Sequence, residues 1–179
     1  MTADTYVESA LRLGADSARW IETAQVVTAS WVRLKCQYGC GAYGTNLACP
    51  PYSPSPAYTR RMLGQYVNGL LVTFPVPSED EEYNVRRQMK RVIADLEREL
   101  FLDGYYGAFG MSAGPCNLCD TCDVTQPCRF PRLARPSMEA CGIDVFATLR
   151  NLGVNVSVAT SSREPCTFCG LILARPHSG

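Results

Sequence analysis

The sequence predicts a single domain of the α/β or α+β class, a two-layer sandwich with cysteine-rich metal-binding loops at its strand ends. Three observations carry this reading. Asn68 to Val76 (NGLLVTFPV) and Gly170 to Ala174 are short apolar runs, the mark of buried strands. Val85, Met89, Val92, Leu96 and Leu100 recur at helical spacing, which gives one long amphipathic helix. The chain has 10 cysteines, and most stand in tight groups between such elements.

Taken in order, Thr5 to Leu13 reads as a helix, with Thr5 and Glu8 as a capping box and Gly14 as its stop. Glu22 to Val32 is rich in β-branched residues and reads as a strand running toward Cys36. Ser55 and Pro56 open a helix whose inward face is Met62, Leu63 and Tyr66. After the strand at 68–76, Ser78 and Glu81 form a second capping box, and the acidic run beginning at Glu79 suits a helix N-terminus better than a metal site. Asp103-Gly104 ends that helix. Tyr105 to Ser112 is a strand feeding the next cysteine loop. Pro136 begins a helical turn, Asp144 caps a helix through Leu149 that stops at Gly153, and Val154 to Ala159 alternates as a strand.

At 179 residues the chain suits one metal-binding domain spanning 1–179. A chain of this length buries roughly 70% of its unfolded surface, so metal is not needed merely to fold. Basic and acidic side chains balance at 17 each, which argues against nucleic acid or anionic lipid as partner. The N-terminal stretch lacks a basic n-region and an apolar h-region, and no apolar run approaches the ~20 residues of a membrane span. A soluble, cytoplasmic protein is expected. In that compartment cysteines point to metal rather than to disulfides. The single histidine, His177, reads as a solvated tail residue, which leaves sulfur as the donor.

The densest group is Cys116, Cys119, Cys122 and Cys128, spaced C-x2-C-x2-C-x5-C within Gly114 to Glu139. A loop of this kind can turn several thiolates to one centre, as iron–sulfur clusters require. It approaches the C-x2-C-x2-C-x3-C-P run of bacterial ferredoxins, but the last gap is longer and Arg129 follows the fourth cysteine. The second group, Cys36, Cys40 and Cys49, is spaced C-x3-C-x8-C, with Gly39, Gly41 and Gly44 around the sulfurs. Two 4Fe-4S clusters are the simplest partition. One takes Cys116, Cys119, Cys122 and a fourth thiol, most simply Cys128. The other takes Cys36, Cys40, Cys49 and either a late cysteine, Cys166 or Cys169, or no fourth protein ligand. Cys128 could also cross over to the Cys36 group. Zinc held by Cys116, Cys119, Cys166 and Cys169 is the alternative, and it strands Cys122 and Cys128. Cys141 reads as a small buried hydrophobe. Arg129, Arg132 and Arg135 either offset cluster charge or bind an anion. Tyr38, Tyr43 and Tyr52 flank the other loop and read as packing residues, with a tyrosine proton donor as the alternative.

The segments VRLKCQYGCGAYGTNLACPPYSP, DGYYGAFGMSAGPCNLCDTC and PCRFPRLARPSMEACGIDV resemble the DUF2284 family of prokaryotic predicted metal-binding proteins, a domain of unknown function. The resemblance runs from about Val32 to Val145 and implies metal binding, in the form of iron–sulfur clusters. It implies no particular reaction.

The sequence contains no G-x-G-x-x-G, no G-x4-G-K-[ST] and no flavin motif. The functional expectation is therefore an iron–sulfur protein that transfers electrons to a redox partner protein. Two alternatives remain open. One is an oxidoreductase or lyase whose open-iron cluster transforms a small molecule by desulfuration or dehydration. The other is a structural zinc module for protein interaction.

Overall fold

Asn68–Val76 (β2) is the strand on which the other elements are laid. Its apolar run is buried for seven of its nine residues. On one side it pairs with Ser17–Glu22 (β1), on the other with Cys166–Ala174 (β4), and Phe109–Met111 (β3) closes the far edge. The order is β1-β2-β4-β3 and every pairing is antiparallel, which makes the fold α+β. The computed structural model describes residues 2–156, 161 and 164–176.

Alternation along β2 and β4 divides the side chains between two layers. Leu70, Val72, Phe74, Ile172 and Ala174 face Glu79–Leu102 (α4) and Ala3–Arg12 (α1), burying Met89, Val92, Ile93, Leu96, Leu100, Tyr6 and Ala10. Tyr6 stacks on Trp20 at 5.6 Å, and Tyr105 meets both rings edge-on. Such aromatic pairs add about 0.5–1.5 kcal/mol each beyond their buried area. Gly170 permits the close approach of α4: a Cβ there would lie 2.6 Å from Ile93 and 2.7 Å from Met89.

The opposite face carries Ile21, Leu71, Leu171, Leu173, Met111 and Cys169. It is covered by Leu63 of Pro56–Leu63 (α3), Leu149 of Val145–Asn151 (α5), and Met138, Cys141 and Ile143 from the turn between them in space. This layer is built from short helices and loops, and both cysteine groups belong to it or to its margin. Among the described residues, no helix is long and apolar enough to cross a membrane.

Several sequence expectations are corrected. Glu22 to Val32 is not a strand: β1 precedes it, a 3-10 turn covers Thr23–Gln25, and Ser30–Gly39 is a helix (α2). The β-branched residues at 26–28 instead form a connecting segment, bridged once at Thr28 to Ile143. The first cysteine group therefore begins on a helix rather than at a strand end. Cys166 and Cys169 lie within β4, not in a loop before it. Neither anticipated capping box forms a side-chain bond: α1 starts earlier, after Thr2, and Ser78 caps α4 through its backbone only. The Ser55 and Asp144 caps do form, accepting from the Tyr58 and Ala147 amides at 3.2 and 2.9 Å. The strand expected at Tyr105 to Ser112 is only three residues long. Residues 154–156 are not a strand, and residues 157–159 of that expectation, like His177, lie outside the described residues.

Candidate metal centre

The loop that carries Cys116 to Cys128 is pinned at its neck. Ser112 bridges Ser137, with the Ser112 amide donating to Pro136 O and the Met138 amide to Ser112 O, both at 2.8 Å. Gly114 turns the chain into the loop with φ +62, a conformation an L side chain rarely adopts. At the far end, Arg135 grips Glu97 of α4 through two bonds of 2.6 Å, and that carboxylate also accepts from the Gly110 amide. Such a bidentate pair fixes geometry as well as charge. Arg135 is thus committed to the scaffold.

Between these anchors, Cys116, Cys119, Cys122 and Cys128 line a single cavity of about 340 Å³. All four thiols are partly buried. Asn46, Leu47 and Ala48 of the first cysteine segment close its other wall. The Asn46 amide clips the segments together, donating to Cys116 O at 2.9 Å and accepting from the Ala48 amide at 3.0 Å. The Leu47 amide donates to Cys122 Sγ at 3.5 Å.

The second group is assembled differently. Cys36 lies in the last turn of α2 and Cys40 at its C-cap, so C-x3-C is here a spacing of about one helical turn. Both line a second cavity, also about 340 Å³, together with Lys35, Glu139 and Cys169. Cys49 is buried between the groups: its charge is felt with those of Cys36, Cys40 and Cys116, and the Cys116 amide donates toward its sulfur.

Burial governs the protonation of these thiols. It raises the pKa of Cys36 and Cys116 and pushes Cys49 up to about 11, with neighbouring thiolates adding to the effect. The cations that oppose it are not the three arginines of the loop. Lys90 of α4, wholly buried, faces Cys116 and Cys49 and donates to Ser112 Oγ at 3.1 Å and Ala113 O at 3.3 Å. Burial lowers its pKa to about 8. Arg33 acts on Cys36, and Arg86 on Cys166. The sequence held one signal for Lys90, a lysine among the apolar positions of α4 one step from Met89.

The late cysteines are separated. On β4, residues three apart point to opposite faces. Cys169 belongs with the thiol-bearing layer, whereas Cys166 shares its face with Phe168, over which Arg86 lies at 5.5 Å. The structure therefore does not bring Cys166 and Cys169 together as a C-x2-C pair. Cys141 is fully buried in the apolar cluster, as expected of a small hydrophobe.

Two thiol-lined cavities, with buried Cys49 beside Cys116 and under the influence of Cys36 and Cys40, define a cysteine-rich α+β domain suited to binding soft metals. The family described as predicted metal-binding protein (DUF2284) matches residues 19–174, and the chain belongs to it. No curated protein and no solved structure matches the chain.

Proposed function

We propose that the protein is an iron–sulfur protein with two four-iron centres that passes electrons to a partner protein. The observation that carries this reading is the adjacency of the two thiol groups. Four thiols surround one cavity, Cys36 and Cys40 open onto the next, and Cys49 stands against Cys116 between them. Centres held there would be neighbours, as an electron relay needs.

The number of thiols also favours a cluster over a lone ion, since a zinc site takes only four ligands. Among the described residues, no three cysteine, histidine or acidic side chains converge on a single-ion site. The zinc set of Cys116, Cys119, Cys166 and Cys169 is further disfavoured by the opposite faces of the last two. An iron–sulfur cluster would be held by Cys116, Cys119, Cys122 and Cys128 at one site and by Cys36, Cys40 and Cys49 at the other, and it would supply one-electron chemistry. The chain's own residues set the conditions. The amides of Leu47 and Cys116 donate to sulfur, and buried Lys90 offsets thiolate charge; both effects raise a reduction potential. Outside Cys40, the exposed Trp31, Leu34 and Tyr38 of α2 offer an apolar surface for the redox partner.

A second reading has its own observation. The Cys36 group has three thiols, and two of them, Cys36 and Cys40, line a cavity, so a centre there could leave one iron open to a small-molecule substrate, as in a desulfuration or dehydration enzyme. Anaerobic purification, iron and sulfide analysis and EPR of the reduced protein test the main proposal. About eight irons with matching sulfide and two interacting reducible signals are expected. A single zinc without sulfide would overturn it.

A further inference from the structure

Glu139 is the acid that the thiol-bearing layer encloses. It lines the second cavity together with Cys36, Cys40 and Cys169. The residue as a whole is half-buried, but its Oε2 is sealed from solvent and has no hydrogen-bond partner. A carboxylate oxygen left so is costly, because an isolated buried charge loses its hydration without return. The nearby cations do not repay it. Lys90 bonds to Ser112 and Ala113, and Arg86 pairs with Glu82. Both act on Glu139 only through space. The Ser137 hydroxyl and the Gly114 amide stand beside the carboxylate and orient it, and the side chain lines the thiol cavity. An acid oriented by neighbouring donors, in one cavity with the thiols of a helix end, is how a metal ligand is presented.

We infer that Glu139 supplies the non-cysteine ligand to the metal held by Cys36, Cys40 and Cys49. The inference rests on the metal-binding reading above and deepens it: the centre has three sulfur donors and one oxygen donor, so one metal position differs from the rest. A carboxylate oxygen is a harder and more readily displaced ligand than a thiolate. That position is therefore the labile corner of the centre, the point at which iron is lost first and an anionic ligand can enter. Cys169 lines the same cavity and is the competing donor. It sits on the sheet, packed in the apolar cluster with Leu71, Leu149 and Leu171, with no bond that orients its sulfur outward.

The test uses the full chain, made anaerobically with iron, as wild type, E139Q, E139C and C169A. The readouts are Mössbauer spectra and the rate of iron release to a chelator. In wild type, one iron of the Cys36 centre is expected to give a doublet distinct from its all-sulfur neighbours. E139Q should lose that doublet and release iron from this centre about tenfold faster or more. E139C should retain the iron with an all-thiolate spectrum, and it carries the test if E139Q fails to fold by circular dichroism. C169A should match wild type. An E139Q protein with wild-type spectrum and release rate would overturn the inference, as would loss of the distinct doublet in C169A alone. Wild-type protein that binds no metal would overturn the metal reading itself and this inference with it.

Discussion

The two thiol groups are built in opposite ways. Cys116, Cys119, Cys122 and Cys128 come from one loop whose ends are tied at Ser112 and Ser137. The second group draws Cys36 and Cys40 from a helix end and Cys49 from a Gly/Pro segment, and its cavity is completed by Glu139 from a turn and Cys169 from β4. The first is a local device that needs only its neck. The second exists only when α2, the 138–142 turn and the sheet are all in place. Metal binding to a site absent from the unfolded chain adds its free energy to folding. The distributed site should therefore couple more strongly to the stability of the whole domain.

The largest expected effect tests whether the groups are separate at all. C119S should remove the metal of the loop group and about half of the total metal, leaving the Cys36 centre in place. C36S should do the reverse, and it should lower the melting temperature more than C119S does. Metal analysis and thermal unfolding of the two variants check this. If either substitution empties both sites, the groups form one shared centre and the comparison fails.

A smaller effect probes the seam between them. Asn46 ties the first segment to the second through Cys116 O and the Ala48 amide, and it is almost fully buried. N46A breaks both bonds and leaves a carbonyl and an amide without partners. A loss of about 2–3 kcal/mol is expected. That corresponds to a fall of roughly 5–10 °C in melting temperature for a chain of this size. An unchanged melting temperature would show that the two segments hold together without the clip.

This contrast also explains what the sequence made legible. The loop group is written in consecutive spacing, so its four cysteines could be picked out together, and the structure gathers them at one cavity. The strand at Asn68–Val76 and the long helix were equally plain, because burial on one or both faces leaves a periodic trace. The second group is not local. C-x3-C is a helical spacing, yet the glycines after Cys40 suggested a loop, and β-branched residues before it suggested a strand. Glu139 and Lys90 carried no pattern of their own: each matters because tertiary packing encloses it beside sulfur. Cys166-x2-Cys169 misled in the other direction. The spacing imitates a zinc knuckle, but pairing with β2 makes it a strand and sends the two thiols to opposite faces.

The smallest effect at neutral pH separates core thiols from metal-binding ones. Burial pushes Cys141 and Cys169 up to about 12 and Cys49 to about 11, from an ordinary thiol value of 9.0. In metal-free protein the folded state keeps these protons where the unfolded chain has lost them. Their contribution is full below pH 9 and is lost as pH rises toward 11–12, by up to about 1.4 kcal/mol per unit for each thiol. Lys90 has the opposite sign. Its folded value of about 8 lies below the ordinary 10.5, so between those limits the unfolded chain binds more protons and stability rises with pH. Denaturant unfolding of the metal-free protein should thus show stability climbing from about pH 8 and turning over before pH 9, where three thiols already outweigh one lysine. C141A should cost only about 1 kcal/mol at pH 7, as a small core truncation does. It should leave the metal content unchanged and make the alkaline decline shallower by one thiol's share. Loss of metal in C141A would move Cys141 out of the core and into the second centre, leaving the loop group as the only set whose donors are all supplied by a single segment.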